Sequence, residues 1–140
     1  MNLHEYQSKE LFRQYGLPVA NFKVSSKATG IGKAAYELSP GPFIVKCQVH
    51  SGARGKAGGV IKVDTPAQAE AFAAKWLGKR LVTHQSGPHG KPVNRILIEN
   101  AAETVRELYL SATIDRSTAH LTVIASEQGG MSIEEIAMVE

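Results

Sequence analysis

The chain has 140 residues, 43% hydrophobic and 21% charged; this is one domain's length of globular composition, and it excludes wholesale disorder. The lone cysteine, Cys47, excludes an internal disulfide and a multi-cysteine metal site, and no apolar run approaches the roughly 18 residues that span a bilayer. The net charge of +3 covers an asymmetry: residues 1–95 carry 14 Lys/Arg against 5 Asp/Glu, whereas residues 96–140 carry 2 against 8.

Met1-Asn2-Leu3-His4-Glu5-Tyr6 has neither the pattern of a secretory signal nor that of an Arg-rich transit peptide, so a cytoplasmic setting without membrane contact is expected. The basic segment either meets a polyanion, such as nucleotide phosphates or a nucleic acid, or is neutralised by the acidic segment within one fold. No internal repeat or low-complexity tract is present.

In chain order, residues 2–15 are predicted helical, with Asn2 as cap, Glu5 three positions on, and Gly16-Leu17-Pro18 as the stop. Ala20, Phe22 and Val24 alternate as in a strand. A helix over 29–38 ends at Pro40-Gly41-Pro42. Phe43–Val49 is a β-prone run, followed by a glycine-rich basic loop over 50–59 and a return strand over 60–63, which together predict a hairpin. Thr65 caps and Pro66 opens a helix that reaches Leu77 and closes at Gly78. Leu81–Thr83 reads as a short strand, 86–92 as a loop and Arg95–Glu99 as a strand. Two longer strands, 105–113 and 121–126, flank a turn at Asp115-Arg116-Ser117, and Ser132 with Glu135 marks a final helix start. The chain stops just after that signal, as a truncated end would. This order is an α+β mixture with antiparallel hairpins rather than a doubly wound sheet.

The loop 50–59 carries the strongest chemical signal. Four glycines allow backbone N–H groups to crowd against an anion, and Arg54 and Lys56 supply charge. The pattern is neither a P-loop nor a dinucleotide fingerprint, since both spacings are missing. A flexible hairpin tip with solvated cations is the competing reading. Lys46 interrupts an apolar strand. Either its face holds an anion or a carboxylate, or the strand is an edge and Lys46 guards it against pairing. Glu99 ends a strand that passes into Asn100-Ala101-Ala102, a place where backbone groups could read a base and a carboxylate could accept ribose hydroxyls. Glu99 and Glu107 read equally as surface acids opposite the basic half. The five histidines show no metal-ligand spacing, Cys47 reads as a small buried hydrophobe, and Trp76 as a core residue.

Taken in order, Met1-Asn2-Leu3-His4-Glu5-Tyr6-Gln7, Val45–His50 running into Ala53–Val60, Trp76–Thr83, Glu107-Leu108-Tyr109-Leu110 and Glu127-x-Gly129-Gly130 resemble the succinyl-CoA synthetase (succinate–CoA ligase) β-subunit family over the whole chain. The resemblance implies an ATP-grasp fold with a nucleotide between two lobes. Residues 20–103 would form the smaller lobe, and residues 1–19 and 104–140 would belong to a larger, incomplete one. It implies that Lys46 contacts the nucleotide phosphates, that Ala53-Arg54-Gly55 is the phosphate loop, that Glu99 and Glu107 are nucleotide-site carboxylates, and that Ala102 contacts base or ribose through its backbone. Relatives usually carry Gly at the position of Ala53 and often Thr at that of Ala102. A methyl at 53 restricts the loop if that residue needs a positive φ.

The implied reaction joins succinate and CoA at the expense of ATP or GTP, through a phosphohistidine that belongs to an α-subunit partner. No catalytic residue is expected within this piece, and the Mg2+ ligands are expected beyond residue 140, which would leave it inactive alone. Malate–CoA ligase β subunits share much of the pattern. The alternative of another class is a basic nucleic-acid-binding module, which calls for aromatics among the cations; residues 46–62 contain none.

Overall fold

The protein is described by a computed structural model over residues 2–129, and it divides into two compact units between Ala102 and Glu103. The first unit holds three helices and six strands: α1 (Glu5–Gln14), β1 (Phe22–Ser25), α2 (Ala28–Leu38), β2 (Phe43–Cys47), β3 (Val60–Val63), α3 (Pro66–Trp76), β4 (Arg80–Leu81), β5 (Lys91–Pro92) and β6 (Ile96–Asn100). The α+β expectation is met.

Four strands form one antiparallel sheet in the order β1-β6-β2-β3. The period-two alternation of β2 decides its faces. Phe43, Val45 and Cys47 are fully buried and face α2 and α3, where Ile31, Ala35, Ala69, Phe72 and Ala73 complete the core with Ile96 and Ile98 of β6. Ile44 and Lys46 lie on the opposite face. In β6 that opposite face is buried as well, because Leu97 and Glu99 are covered.

The helix ends follow local chemistry. Thr65 caps α3 as expected, its Oγ1 accepting from the Gln68 N–H at 3.3 Å while Gln68 Oε1 accepts from the Thr65 N–H at 3.1 Å. Gly16 and Gly78 adopt φ of +74° and +78° where α1 and α3 stop. The start of α1 differs from expectation. His4, not Asn2, is the capping position, and its N–H donates to Gln7 Oε1 at 2.8 Å. Glu5 is not used as a cap; its carboxylate is drawn to cations on β2 and the glycine loop. The segment expected as a loop over 86–92 contributes β5, which pairs with β4. The expected strand at 81–83 is correspondingly shifted to Arg80–Leu81.

The described residues of the second unit hold an antiparallel hairpin of β7 (Tyr109–Asp115) and β8 (His120–Ser126), turning through Ala119 at φ +57°. The expected helix start at Ser132 lies outside the described residues.

Candidate functional site

Five charged side chains of the first unit meet on the sheet face opposite α2 and α3. β2 lies between β6 and β3, so Lys46 is an interior-strand residue and not an edge guard. Its Nζ donates to Glu5 Oε1 and lies 2.7 Å from both Glu5 Oε1 and Glu99 Oε1. The register explains the second contact. Lys46 is opposite Leu97 and Ile44 is opposite Glu99, so Lys46 and Glu99 are diagonal neighbours on one face.

Helix α1 supplies the other half. Glu5 and Lys9 are four residues apart and so share one helical face. Glu5 reaches Lys46, and Lys9 Nζ lies 2.6 Å from Glu99 Oε2, an ion pair off the direct hydrogen-bonding line. Arg54 closes the cluster from the loop: its Nη2 donates to Glu5 Oε2 at 2.5 Å and its Nη1 to the Cys47 carbonyl at 2.8 Å. Signs alternate through Lys9, Glu99, Lys46, Glu5 and Arg54, with three cations to two carboxylates.

The cluster tunes its members. Burial alone would push the Glu5 carboxyl up, but Lys46 and Arg54 outweigh it and hold Glu5 below its ordinary 4.5. Burial alone would lower the Lys46 ammonium, but Glu5 and Glu99 outweigh it and raise Lys46 above its ordinary 10.5. Both stay charged at neutral pH. Cys47, wholly buried beneath the loop, has its thiol pushed up to about 12, chiefly by burial, which fits the reading of an inert hydrophobe.

The glycine loop is a built turn and not a floppy tip. The carbonyls of Ala53, Arg54 and Gly55 accept from the N–H groups of Ala57, Gly59 and Gly58 at 3.3, 2.8 and 3.0 Å. Because each peptide unit is planar and trans, the N–H of those same units points the opposite way. The loop is tied to the β4 end by a 2.6 Å contact between the Ser51 and Thr83 hydroxyls and by the Gly52 N–H donating to Gln85 Oε1 at 2.8 Å. Ala53 sits at φ +55°, the left-handed region in which a methyl-bearing residue is restricted. A cleft of about 460 Å3 opens between this loop and the start of α1, lined by Glu5, Ser8, His50, Ser51, Gly52 and Arg54 among others.

Of the sequence-predicted residues, Lys46, Arg54 and Glu99 are brought together, with Ala53 and Gly55 flanking Arg54 in the turn. Glu99 is not a surface acid: it is 6% exposed and ion-paired through both oxygens. Ala102 stands exposed at the end of the first unit, and Glu107 is exposed in the second. Glu5 and Lys9 were missed. The available signal was Lys46 itself, a half-buried cation within an apolar strand that calls for an acid, together with a Glu and a Lys one turn apart on the first helix. His4 and His50 stack with ring centroids 3.8 Å apart; burial first, then His50, Arg95 and Arg54, lower the His4 pKa and keep the ring neutral at pH 7.

Among the described residues no group of three or more His, Cys, Asp or Glu could hold a metal ion. The two clustered carboxylates, Glu5 and Glu99, are already taken by three cations and do not fit a Mg2+ site. Nor is any described helix long and apolar enough to cross a membrane.

The chain belongs to the ATP-grasp domain family, whose pattern it matches over residues 2–140. Among curated relatives, the β subunit of ADP-forming succinate–CoA ligase from Edwardsiella ictaluri is 53% identical over 137 residues, covering 98% of this chain and 35% of the relative. The Escherichia coli and Proteus mirabilis subunits of the same name are each 50% identical over the same shares. The chain thus spans about a third of the length of these relatives. Two examples represent the solved structures that share the fold. One is the ATP citrate lyase of Methanothrix soehngenii, at 18% identity and TM-score 0.71, covering 93% of this chain and 32% of that one. The other is the dinucleotide-forming acetyl-coenzyme A synthetase 1 of Ca. Korarchaeum cryptofilum, at 17% identity and TM-score 0.68, covering 89% of this chain and 52% of that one.

Proposed function

We propose that this chain holds the phosphates of a purine nucleotide as part of the β subunit of a succinate–CoA ligase. One observation carries the proposal. Lys46 from the sheet and Arg54 from the glycine loop converge on the two oxygens of a single carboxylate, at 2.7 and 2.5 Å. Two cations aimed at one small anion, beside a cleft bounded by a glycine loop, are the elements from which a phosphate clamp is made. In this reading residues 20–103 form the smaller ATP-grasp lobe, and residues 1–19 and 104–140 belong to the larger. Ala53-Arg54-Gly55 cradle the phosphates, and Lys46 and Arg54 offset charge as the terminal phosphoryl group leaves, a reaction that is mostly positioning and electrostatics. Glu99 and Ala102 belong to the nucleotide site within the first unit, and the role of Glu107 rests on the family resemblance alone.

The whole enzyme would form succinyl-CoA from succinate and CoA, with ATP becoming ADP and phosphate, through a phosphohistidine on an α-subunit partner. Mg2+ would be bound by residues outside this chain, and the assembly would be cytoplasmic. The names of the relatives favour ADP over GDP and succinate over malate. The nucleic-acid reading loses its support, because Lys9, Lys46 and Arg54 are engaged by internal carboxylates and are not displayed as a stripe.

The test is an NMR titration of the full chain with ADP, GDP and a short single-stranded DNA in parallel. ADP is expected to shift Lys46, residues 52–59 and residues 99–102, and DNA to shift nothing. Arg54→Ala is expected to raise the ADP dissociation constant roughly 10- to 100-fold, the equivalent of a charge-assisted hydrogen bond of about 1.5–3 kcal/mol. Silence with ADP, shifts with DNA alone, or an unchanged affinity in Arg54→Ala would each overturn the proposal.

A further inference from the structure

We infer that Glu5 is a positioning residue for the phosphate clamp: from helix α1 it holds Lys46 and Arg54 at a fixed separation, so that the two act on phosphates as one unit. The inference rests on the nucleotide reading above and assigns a role to a residue that this reading leaves out.

The geometry is specific. One carboxylate spends one oxygen on each cation, Oε1 on Lys46 and Oε2 on Arg54, and its side chain is about one-fifth exposed. The cations come from different elements, Lys46 from an interior strand and Arg54 from the loop that follows it; the backbone bonds and the Cys47 carbonyl anchor Arg54 to β2, and Glu5 is the group that ties its guanidinium to the Lys46 ammonium. Glu5 is their only shared acidic partner among the described residues. Donor capacity remains for a ligand. Lys46 carries three N–H groups and directs two at Glu5 and Glu99, while Arg54 carries five and directs two at Glu5 and the Cys47 carbonyl. A phosphate therefore adds to the arrangement without dismantling it. Phosphoryl-transfer enzymes offer a precedent in kind, where a helix-borne glutamate aligns a strand-borne lysine on the phosphates. Lys9 extends the same logic, pinning Glu99 from the next turn of α1.

Simple electrostatics predicts the opposite of positioning. Removing a negative charge beside a phosphate site should tighten anion binding. The sign of the change in Glu5→Gln therefore separates the two. Affinities of the full chain for adenosine, ADP and ATP would be measured for wild type, Glu5→Gln, Arg54→Ala and the double variant. Positioning predicts that Glu5→Gln weakens ADP and ATP about tenfold, the scale of one charge-assisted hydrogen bond, and leaves adenosine unchanged. A merely structural loss would weaken all three. In the Arg54→Ala background the same change should cost less than about threefold, because residues that act together are not additive. Tighter or unchanged ADP binding in Glu5→Gln, alongside a loss in Arg54→Ala, would overturn the inference and leave the clamp intact. An unchanged affinity in Arg54→Ala would overturn the clamp itself.

Should Glu5→Gln fail to fold, the wild type still decides. The Arg54 guanidinium N–H resonances and the Glu5 carboxyl carbon are followed through an ADP titration. The pairing is expected to persist in the complex; its loss on binding would mean that Glu5 is a competitor displaced by phosphate, and would overturn the inference.

Discussion

Ala53 is the position where a single methyl should be measurable. It sits at φ +55° in the turn of the glycine loop, and a side-chain-bearing residue there costs about 1–2 kcal/mol relative to glycine. Ala53→Gly relieves that cost. Against the gain stand the greater freedom of glycine in the unfolded chain, about 0.4–1 kcal/mol, and the loss of a half-buried methyl, about 0.4 kcal/mol. The balance is about 0.5 kcal/mol in favour of glycine. Ala53→Val moves the other way, since a β-branched side chain is a clear outlier at this φ, and should cost about 1–2 kcal/mol beyond alanine. The span from glycine to valine is therefore roughly 2 kcal/mol, well outside the error of a denaturation midpoint.

Urea unfolding reported by Trp76 reads this directly, because Trp76 is the only tryptophan and packs against the core of the first unit. The expected order of midpoints is Gly at or above Ala, and Ala above Val. A Val variant as stable as wild type, or a Gly variant less stable by more than about 1 kcal/mol, would refute the claim that the turn imposes left-handed geometry on residue 53.

Two further expectations follow from the charge cluster and from α3. Glu5 is held below 4.5, so its contribution is present above that pH and is lost as pH falls through its lower folded value; Lys46 is raised above 10.5, so its contribution is present below that pH and is lost as pH rises through its higher folded value. The stability difference between wild type and Glu5→Gln, measured by urea midpoints, should hold steady between about pH 5 and 9 and narrow below 4.5; a difference that grows in acid would contradict the pairing. Thr65→Ala, which removes the Oγ1 cap on α3, should cost about 1 kcal/mol by the same assay, with Thr65→Ser restoring most of it.

Much of the fold was legible because its signals are local. Thr65-Pro66 at the start of α3, Gly78 at its end, and the alternation of Phe43–Cys47 each depend on neighbours a few residues away. The elements that shifted are those where local signals are thin. β5 is two residues long and contains Pro92, which removes a ladder donor and speaks against a strand. The identity of Lys46 as an interior-strand residue could not be read from alternation, which gives the face of a strand but not its place in the sheet. That place depends on β6 inserting beside β2 from some fifty residues downstream.

The same limit explains Glu5. Its spacing to the start of α1 is that of a capping residue, and the one cation a helical turn away, Lys9, is taken by Glu99 instead. Its partners, Lys46 and Arg54, lie 41 and 49 positions away in sequence. Only the fold reveals that a charge-assisted pair with two half-buried cations outweighs a solvent-exposed cap, and that Gln7 Oε1 and Gln48 Oε1 accept from the His4 and Tyr6 N–H groups at the helix start in its place.

The cluster also settles what the lopsided charge of the chain means at this site. Lys46 and Arg54 belong to the basic segment, but their acids come from both segments, Glu5 from the first helix and Glu99 from the sixth strand. The neutralising and the phosphate-binding readings of that basic segment are therefore compatible. An unpaired Lys46 on an interior strand would be driven toward neutrality by burial. Two carboxylates keep it charged and fixed, and the third cation-rich partner, Arg54, leaves the cluster with one positive charge in excess. Under the proposed function, a phosphate arriving at the adjoining cleft would meet cations whose desolvation and orientation were completed when the chain folded, so less of its binding energy would be lost to ordering them.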